Sequence, residues 1–425
     1  MAEFQIECFQ NEFLPQNGDV MHAVLTVSVS GAGAEVDAGV ADGRTELLIV
    51  DTSGSMNGKK LRAAKAATTA AIDCIPTGVR FGVITGNHQA WLAVAPTTAS
   101  PQSREEAKAT VKQFEAGGGT AMGTWIRLAA TIFAEEQGIR HAILLTDGKN
   151  ESEAPIDLEW ALADADGAFQ CDCRGVGDNW DVGELRKVAT ALRGTYDIVA
   201  EPEELERDFS EMLQASLLRQ VSEITLRVWT PQGAEVAALK QMEPPLDLTG
   251  TRIATGPLVG EYTTGAWGDE ARDYYLSVRL PTGAVGDKML AARVTLVVGG
   301  EPAGQGLVKA EWTDDVAKST RLNKRVAEAV GEGELAEAIQ KGIDAHRAGD
   351  VENAITGFGE AVRMANESGN DEALERLSKL VDIDDPVTGR VRPKAKVETL
   401  DVMTLETRST RTSRTPRPRG PEDAT

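Results

Sequence analysis

Cysteine and histidine are scarce in this chain. Cys8, Cys74, Cys171 and Cys173 are too few among 425 residues for a disulfide framework. Cys171-Asp172-Cys173 has the wrong spacing for a zinc knuckle or a thioredoxin-type pair. On a strand, period-two placement points both thiols to one face, which reads as two small core residues. His22, His88, His141 and His346 are scattered and lack metal-ligand spacing. No apolar run approaches the ~20 residues needed to span a bilayer. The segment Met1–Glu7 has neither the basic region nor the apolar run of a secretory leader, so a cytoplasmic protein without membrane contact is expected. Basic residues are outnumbered, 44 against 66 acidic, for a net charge of −22. That balance argues against nucleic-acid partners. Its sign reverses only past Thr407, at Arg408, Arg411, Arg414, Arg417 and Arg419.

Against this background one pattern stands out. Glu46-Leu47-Leu48-Ile49-Val50 reads as a buried strand. It runs directly into Asp51-Thr52-Ser53-Gly54-Ser55 and then Met56-Asn57-Gly58, ahead of a helix. One carboxylate and two hydroxyls therefore meet at the carboxyl end of a strand, where open α/β sheets place their ligands. Gly117-Gly118-Gly119-Thr120-Ala121-Met122-Gly123-Thr124 adds a flexible loop with a hydroxyl. Ile143-Leu144-Leu145-Thr146-Asp147-Gly148 adds a second strand that ends in a carboxylate. All the donors are oxygens, which suits hard divalent cations, above all Mg²⁺. Any one of these loops reads equally well as a helix cap or a turn.

The triplet Asp-x-Ser-x-Ser, Gly-Gly-Thr and Thr-Asp-Gly, in this order, resembles the von Willebrand factor A family. Its metal-ion-dependent adhesion site is built from three such loops. The match is complete at Asp51, Ser53, Ser55, Thr120 and Asp147. The resemblance implies that Ser53 and Ser55 coordinate a metal directly and that Thr120 does so in the ligand-competent state. It implies that Asp51 and Asp147 act directly or through water. The implied ion is Mg²⁺, with Mn²⁺ or Ca²⁺ as alternatives. A protein partner's Asp or Glu would fill the open position.

Residues 44–220 alternate strand and helix and predict a doubly wound, Rossmann-like α/β domain. Strands are expected near 46–51, 79–85, 90–95, 140–146, 169–174 and 195–199. Helices are expected over 59–75, 103–115, 122–136, 155–166, 181–192 and 202–219. Gly86-Asn87-His88-Gln89 predicts a hairpin that makes 90–95 an antiparallel edge strand. Residues 1–40 carry two alternating strand patterns, Phe4–Cys8 and Ala23–Val29, followed by an Ala/Gly-rich acidic linker from Gly31 to Gly43. Residues 221–315 hold several short alternating strands separated by Pro and Gly, the pattern of a β-sandwich. The N-terminal strands lack partners unless they join it, so the α/β domain reads as an insertion into one sandwich. Residues 319–383 read as a small helical bundle. Within it Gly342, Ala345 and Ala354 let two helices approach closely, like a single tetratricopeptide-like unit. Residues 384–425, polar and Pro-containing, read as a disordered tail. The whole layout resembles bacterial cytoplasmic members of the family.

The sequence offers little support for catalysis. Gly54–Gly58 is not a nucleophile elbow, Gly117–Gly123 lacks the Lys of a P-loop, and Asp164-Ala165-Asp166-Gly167 lacks the later ligands of a calcium loop. No general base sits in the three loops; Glu151 and Glu153 follow Asp147 and read as exposed loop carboxylates. The expectation is therefore a non-enzymatic binding module. The alternative is a kinase-regulated signalling substrate acting through its Thr/Arg-rich tail, where phosphate would add about −1.5 to −2 charge per site.

Overall fold

The computed structural model describes residues 2–31 and 43–409. The Ala/Gly-rich linker, apart from Gly31 and Gly43, and the terminal Arg-rich run past Ser409 fall outside the described residues. The chain divides into two units: one holds residues 43–222 with Gly265–Gly268, the other the N-terminal strands with 223–264 and 269–409. The N-terminal strands are β1 (Glu3–Gln10), β2 (Phe13–Pro15) and β3 (Val20–Ser30).

The α/β unit begins at β4 (Arg44–Asp51), whose every residue is buried, as in a strand covered on both faces. It continues through α1 (Lys59–Cys74), β5 (Arg80–Gly86), β6 (Ala90–Thr98), α2 (Pro101–Lys112), α3 (Met122–Phe133) and β7 (Ile139–Thr146). It closes with α4 (Pro155–Asp164), β8 (Gln170–Val176), α5 (Val182–Ala191), β9 (Tyr196–Val199) and α6 (Leu205–Leu217). The spatial order is β6-β5-β4-β7-β8-β9, with β6 antiparallel to β5 and every other pair parallel. The chain leaves β4 in one direction and returns beside it as β7, so the β4/β7 boundary is the switch point whose carboxyl end forms a crevice. Capping chemistry accounts for the shifted helix ends. Helix α2 starts at Pro101 rather than 103, because Pro fits the first helical position and the Ser100 and Ser103 side chains cap reciprocally. Residues Pro202–Glu204 form a 3₁₀ turn before α6.

On one face of this sheet Leu48, Val50, Val83, Ile143 and Leu145 pack against Leu61, Ala64 and Ala67 of α1, Val111 of α2, and Phe209 and Leu213 of α6. Each fully buried Val, Leu, Ile or Phe side chain among them contributes roughly 1.5–3 kcal/mol. Cys171 and Cys173 are buried with sulfurs 4.0 Å apart on one face of β8. The amino end of the sheet carries a buried polar cluster. His141 on β7 places Nδ1 2.6 Å from Glu46 Oε2 on β4 and Nε2 2.9 Å from Asp172 Oδ2 on β8. Carboxylates only accept, so both ring nitrogens must donate and the ring is an imidazolium. Burial opposes that charge, but Glu46 and Asp172 more than offset it and raise the His141 pKa. Arg44 donates to the Ser216 carbonyl at 2.7 and 2.8 Å, and the Thr195 amide and hydroxyl donate to Asp172 Oδ1 at 2.6 and 2.8 Å.

The second unit is built from β10 (Ile224–Trp229), β11 (Glu235–Gln241), β12 (Leu246–Asp247), β13 (Ile253–Gly256), β14 (Val259–Thr263), β15 (Glu270–Arg279), β16 (Lys288–Val298) and β17 (Glu301–Thr313). They join the N-terminal strands in two sheets, ordered β1-β3-β15-β11-β12 and β13-β14-β10-β16-β17-β2. Strand β3 pairs antiparallel with β1 on one side and β15 on the other, and β2 pairs parallel with β17. Ile6 and Cys8 of β1 lie against Gly306 of β17, where any side chain would collide with the Cys8 sulfur.

Helices follow: α7 (Val316–Ser319), α8 (Lys324–Arg347), α9 (Val351–Ser368) and α10 (Asp371–Leu380). Helix α8 starts well before the expected close pair. Its first turns lay Val326 and Ala329 on Val24, and the Arg325 guanidinium lies 4.1 Å from the centre of the Phe9 ring. Gly342 of α8 meets Gly357 of α9 so closely that a Cβ on Gly357 would stand 2.8 Å from Gly342 Cα. Ala354 also lies in this core, and Ala345 packs at its edge.

The expectation of disorder from residue 384 is overturned for most of that segment. Strands β18 (Val381–Asp385) and β19 (Arg390–Pro393) form a hairpin, and α11 (Thr399–Arg408) docks on the bundle. Val391, Val402 and Leu405 enter the core of α8–α10, and the buried carboxylate of Glu406 takes Arg347 at 2.6 Å. A few apolar residues at the right spacing hold a stretch whose average composition is polar. Residues 410–425 lie outside the described residues.

Candidate functional site

The three loops meet at the carboxyl ends of β4 and β7, and backbone hydrogen bonds join them before any side chain acts. The Gly54 amide donates to the Gly118 carbonyl and the Gly117 amide to the Thr52 carbonyl, both at 2.8 Å. The Thr52 amide donates to Gly86, at the end of β5, at 2.7 Å. Gly118 has φ +78°, which favours glycine, and a Cβ there would also stand 2.5 Å from His88 Nδ1 and displace that ring. Asn87 braces the same corner: its Nδ2 donates to the Gly117 carbonyl, and its own carbonyl accepts from Ala121 N and Trp125 Nε1.

The five side chains singled out in the sequence converge here. Asp51 Oδ1 accepts from the Ser53 amide at 2.7 Å, and its Oδ2 accepts from Thr146 Oγ1 at 2.5 Å. Ser53 Oγ and Ser55 Oγ are 3.0 Å apart, and Ser55 Oγ donates to Asp147 Oδ1 at 2.7 Å. The Cα of Gly148 faces this group. A Cβ on it would lie 3.0 Å from Thr120 Oγ1, 3.2 Å from Ser55 Oγ and 3.8 Å from Ser53 Oγ. Hydroxyls from two loops thus surround a glycine of the third. Asp51, Ser53, Thr120 and Asp147 are buried, whereas Ser55 opens to solvent.

Electrostatics set this pocket apart. Burial raises the Asp51 carboxyl, hydrogen bonds from Thr146 and Ser53 pull it down and the charge of Asp147 adds to the rise, leaving it pushed up to about 6. Asp147 is fully buried and meets one cation, the Lys60 ammonium on α1, 2.5 Å from its Oδ2.

Other residues complete the site. Thr120 is clamped by Ser152, whose Oγ accepts from the Thr120 amide at 3.1 Å and whose amide donates to the Thr120 carbonyl at 2.9 Å. Asn150 Oδ1 and Glu153 Oε1 each accept, at 2.7 Å, from the first amides of α3, Met122 and Gly123. Glu153 is therefore not the exposed loop carboxylate that was expected; it satisfies an otherwise orphaned helix N-terminus. Lys60, Ser152 and Asn150 carried no signal in the sequence, because their partners lie far away in the chain. Thr146 stood inside the Thr-Asp-Gly motif without an assigned role. Among the described residues, no three His, Cys, Asp or Glu side chains gather as a metal-binding group, so an ion here would depend on the hydroxyls. No helix among the described residues is long and apolar enough to cross a membrane.

Known proteins resemble this chain in sequence and fold. Residues 46–198 match the family described as von Willebrand factor type A domain, and residues 363–409 match the von Willebrand factor type A C-terminal domain. The second match spans the end of α9, α10, the β18–β19 hairpin and α11. A solved structure described as von Willebrand factor type A from Catenulispora acidiphila is 42% identical, with 97% of this chain and 98% of that one covered and a TM-score of 0.91. The ArnB paralog VWA2 from Sulfolobus acidocaldarius is similar in fold, with 16% identity, a TM-score of 0.59, and 96% and 98% of the two chains covered. An uncharacterised protein of Synechocystis sp. is 28% identical over 172 residues, a match that spans 39% of this chain and 40% of that relative's length. The chain thus belongs to the von Willebrand factor type A family, whose domains generally mediate protein–protein interactions.

Proposed function

We propose that this protein is a metal-dependent binding module that captures a partner protein's Asp or Glu. Asp51, Ser53, Ser55, Thr120 and Asp147 would hold Mg²⁺, or Mn²⁺ or Ca²⁺ in its place. The observation that carries the reading is the convergence of the Ser53, Ser55 and Thr120 hydroxyls around the bare Cα of Gly148, with Ser55 bonded to Asp147 and the Ser53 amide to Asp51. The donor set suits a hard cation: two buried carboxylates supply charge and three hydroxyls supply neutral oxygens. A bound ion would supply the positive charge that attracts an acidic side chain. Thr146 and the Ser53 amide orient Asp51, Ser152 holds the Thr120 backbone, and exposed Ser55 marks the side open to a partner.

Binding without catalysis is the favoured reading, because Glu153, which follows the Asp147 loop, is engaged by the Gly123 amide. The two sheets of the second unit would face each other as a sandwich into which the α/β unit is inserted; the contact of β1 with Gly306 on β17 supports this. A cytoplasmic location is in keeping with the free thiols of Cys171 and Cys173. The body carries net negative charge, so a partner would present its carboxylate on a neutral or basic surface. The tail-substrate reading falls mostly on residues 410–425, outside the described residues; of the hydroxyls just before them, Thr407 is buried in α11 and Thr404 Oγ1 is bonded to the Leu400 carbonyl.

The test is a Mn²⁺ titration of the full chain and of Ser53→Ala/Ser55→Ala, joined to a pull-down with and without chelator. The double substitution should abolish Mn²⁺ binding while the far-UV spectrum stays unchanged. An identical titration for both proteins would overturn the metal assignment. Thr120→Ala should weaken capture of the recovered partner more than it weakens Mn²⁺ binding.

A further inference from the structure

Lys60 is the second residue of α1, directly after the loop that carries Asp51, Ser53 and Ser55. Its Nζ lies 2.5 Å from Asp147 Oδ2, while the other oxygen of Asp147 accepts from Ser55 Oγ. Asp147 has no exposed surface, whereas the Lys60 side chain keeps 28% of its own. The cation that neutralises this buried carboxylate therefore belongs to a side chain with a way out. Its Cε and Nζ pass 3.7 and 3.8 Å from where a Cβ on Gly177 would stand, so a bare glycine borders its course.

We propose that Lys60 is a built-in competitor for the divalent ion, its ammonium holding Asp147 until metal displaces it. The proposal rests on the metal-dependent reading above and adds a regulator to that site. An ammonium and a divalent cation on one carboxylate repel at a few ångströms, and low local polarity magnifies the repulsion. They compete for the charge of Asp147, so ion uptake carries the cost of loosening the Lys60–Asp147 pair. Lysine suits the role because it is a compact point charge on a flexible four-carbon stem, able to leave without rearranging the loops. Two consequences follow. Ion affinity lies below what the oxygens alone would give. The protein without ion keeps its pocket, because Asp147 is never left uncompensated.

The experiment is a Mn²⁺ titration of the full chain, wild type against Lys60→Met and Lys60→Gln, followed by electron paramagnetic resonance. Thermal midpoints are recorded in parallel, with chelator and with Mn²⁺. Removing the ammonium should tighten Mn²⁺ binding by ~10-fold or more. It should lower the midpoint in chelator and narrow the gap to wild type when Mn²⁺ is added. Adding Ser53→Ala/Ser55→Ala to Lys60→Met should remove the tightened binding, which places it at this site. Mn²⁺ binding by the Lys60 variants alone would support the proposal in its strongest form. Equal Mn²⁺ affinity in wild type and both folded variants would overturn the competition and leave the metal reading intact. Absence of Mn²⁺ binding in all of them would overturn the metal reading, and the competition with it.

Discussion

The two ends of the central sheet handle buried charge in opposite ways. At the amino end, Glu46 and Asp172 are matched by His141, which contacts both, by Arg44, 3.6 Å from Glu46, and by the Thr195 hydroxyl and amide. At the carboxyl end, Asp51 and Asp147 are equally buried. They have hydroxyls, one backbone amide and a single ammonium that reaches in from solvent. The direction of the carboxylate pKa follows. Burial works to raise Asp172, yet its bonds to His141 and the nearby charges hold it far below the usual range. Burial wins at Asp51, which rises to about 6. One end is a closed structural lock. The other is left short of positive charge, which is the condition a binding site for a cation needs.

The largest effect that could break this comparison is expected at the lock. Asp172→Asn or His141→Gln leaves a buried charge unmatched and should cost roughly 3–5 kcal/mol in the stability of the α/β unit, read by denaturant unfolding. The pH dependence gives the signs. The His141 pKa is raised on folding, so its contribution is complete below 6.5 and is lost as pH rises through the folded value. The Asp172 pKa is lowered, so its contribution is present above 3.8 and is lost as pH falls towards the folded value. The lock should therefore be strongest between 3.8 and 6.5, and the deficit of His141→Gln should shrink in alkaline solution.

A smaller effect of opposite sign is expected at the other end. The Asp51 pKa is raised on folding, so ionised Asp51 opposes folding at neutral pH, and the penalty disappears as pH falls below 3.8. In chelator at pH 7.5, Asp51→Asn should stabilise the unit by about 1–3 kcal/mol, and the gain should vanish near pH 4. If Asp51→Asn destabilises as much as Asp172→Asn, the two ends do not differ in kind. The smallest effect concerns Glu153. Replacing its carboxylate by an amide in Glu153→Gln keeps an acceptor for the Gly123 amide but removes its charge from the α3 N-terminus. A loss of about 0.3–1 kcal/mol is expected, screened by salt.

Much of the α/β unit was legible in the chain. Apolar runs such as Leu47–Val50 and Ile143–Leu145 are strands because both faces are covered, and glycines and prolines mark the joins. The edge position of β6 followed from the short Gly86–Gln89 hairpin. The five candidate residues were legible as oxygen donors because each lies at a strand end or ahead of a helix, and the structure brings them to one place. Residues 384–409 were misread because composition averages over a window. Docking depends on a few residues, such as Val391, Val402 and Leu405, that meet a distant bundle.

What the sequence determined by itself is the elements of the α/β unit and the oxygen donors at their ends, since periodicity, caps and turns act between near neighbours. Only the tertiary structure decided that Lys60 faces Asp147, that His141 bridges Glu46 and Asp172, and that Glu153 turns inward to α3. Each of these pairings joins residues 30 or more positions apart. Coulomb energy depends on distance in space and on burial, and neither can be read from position in the chain.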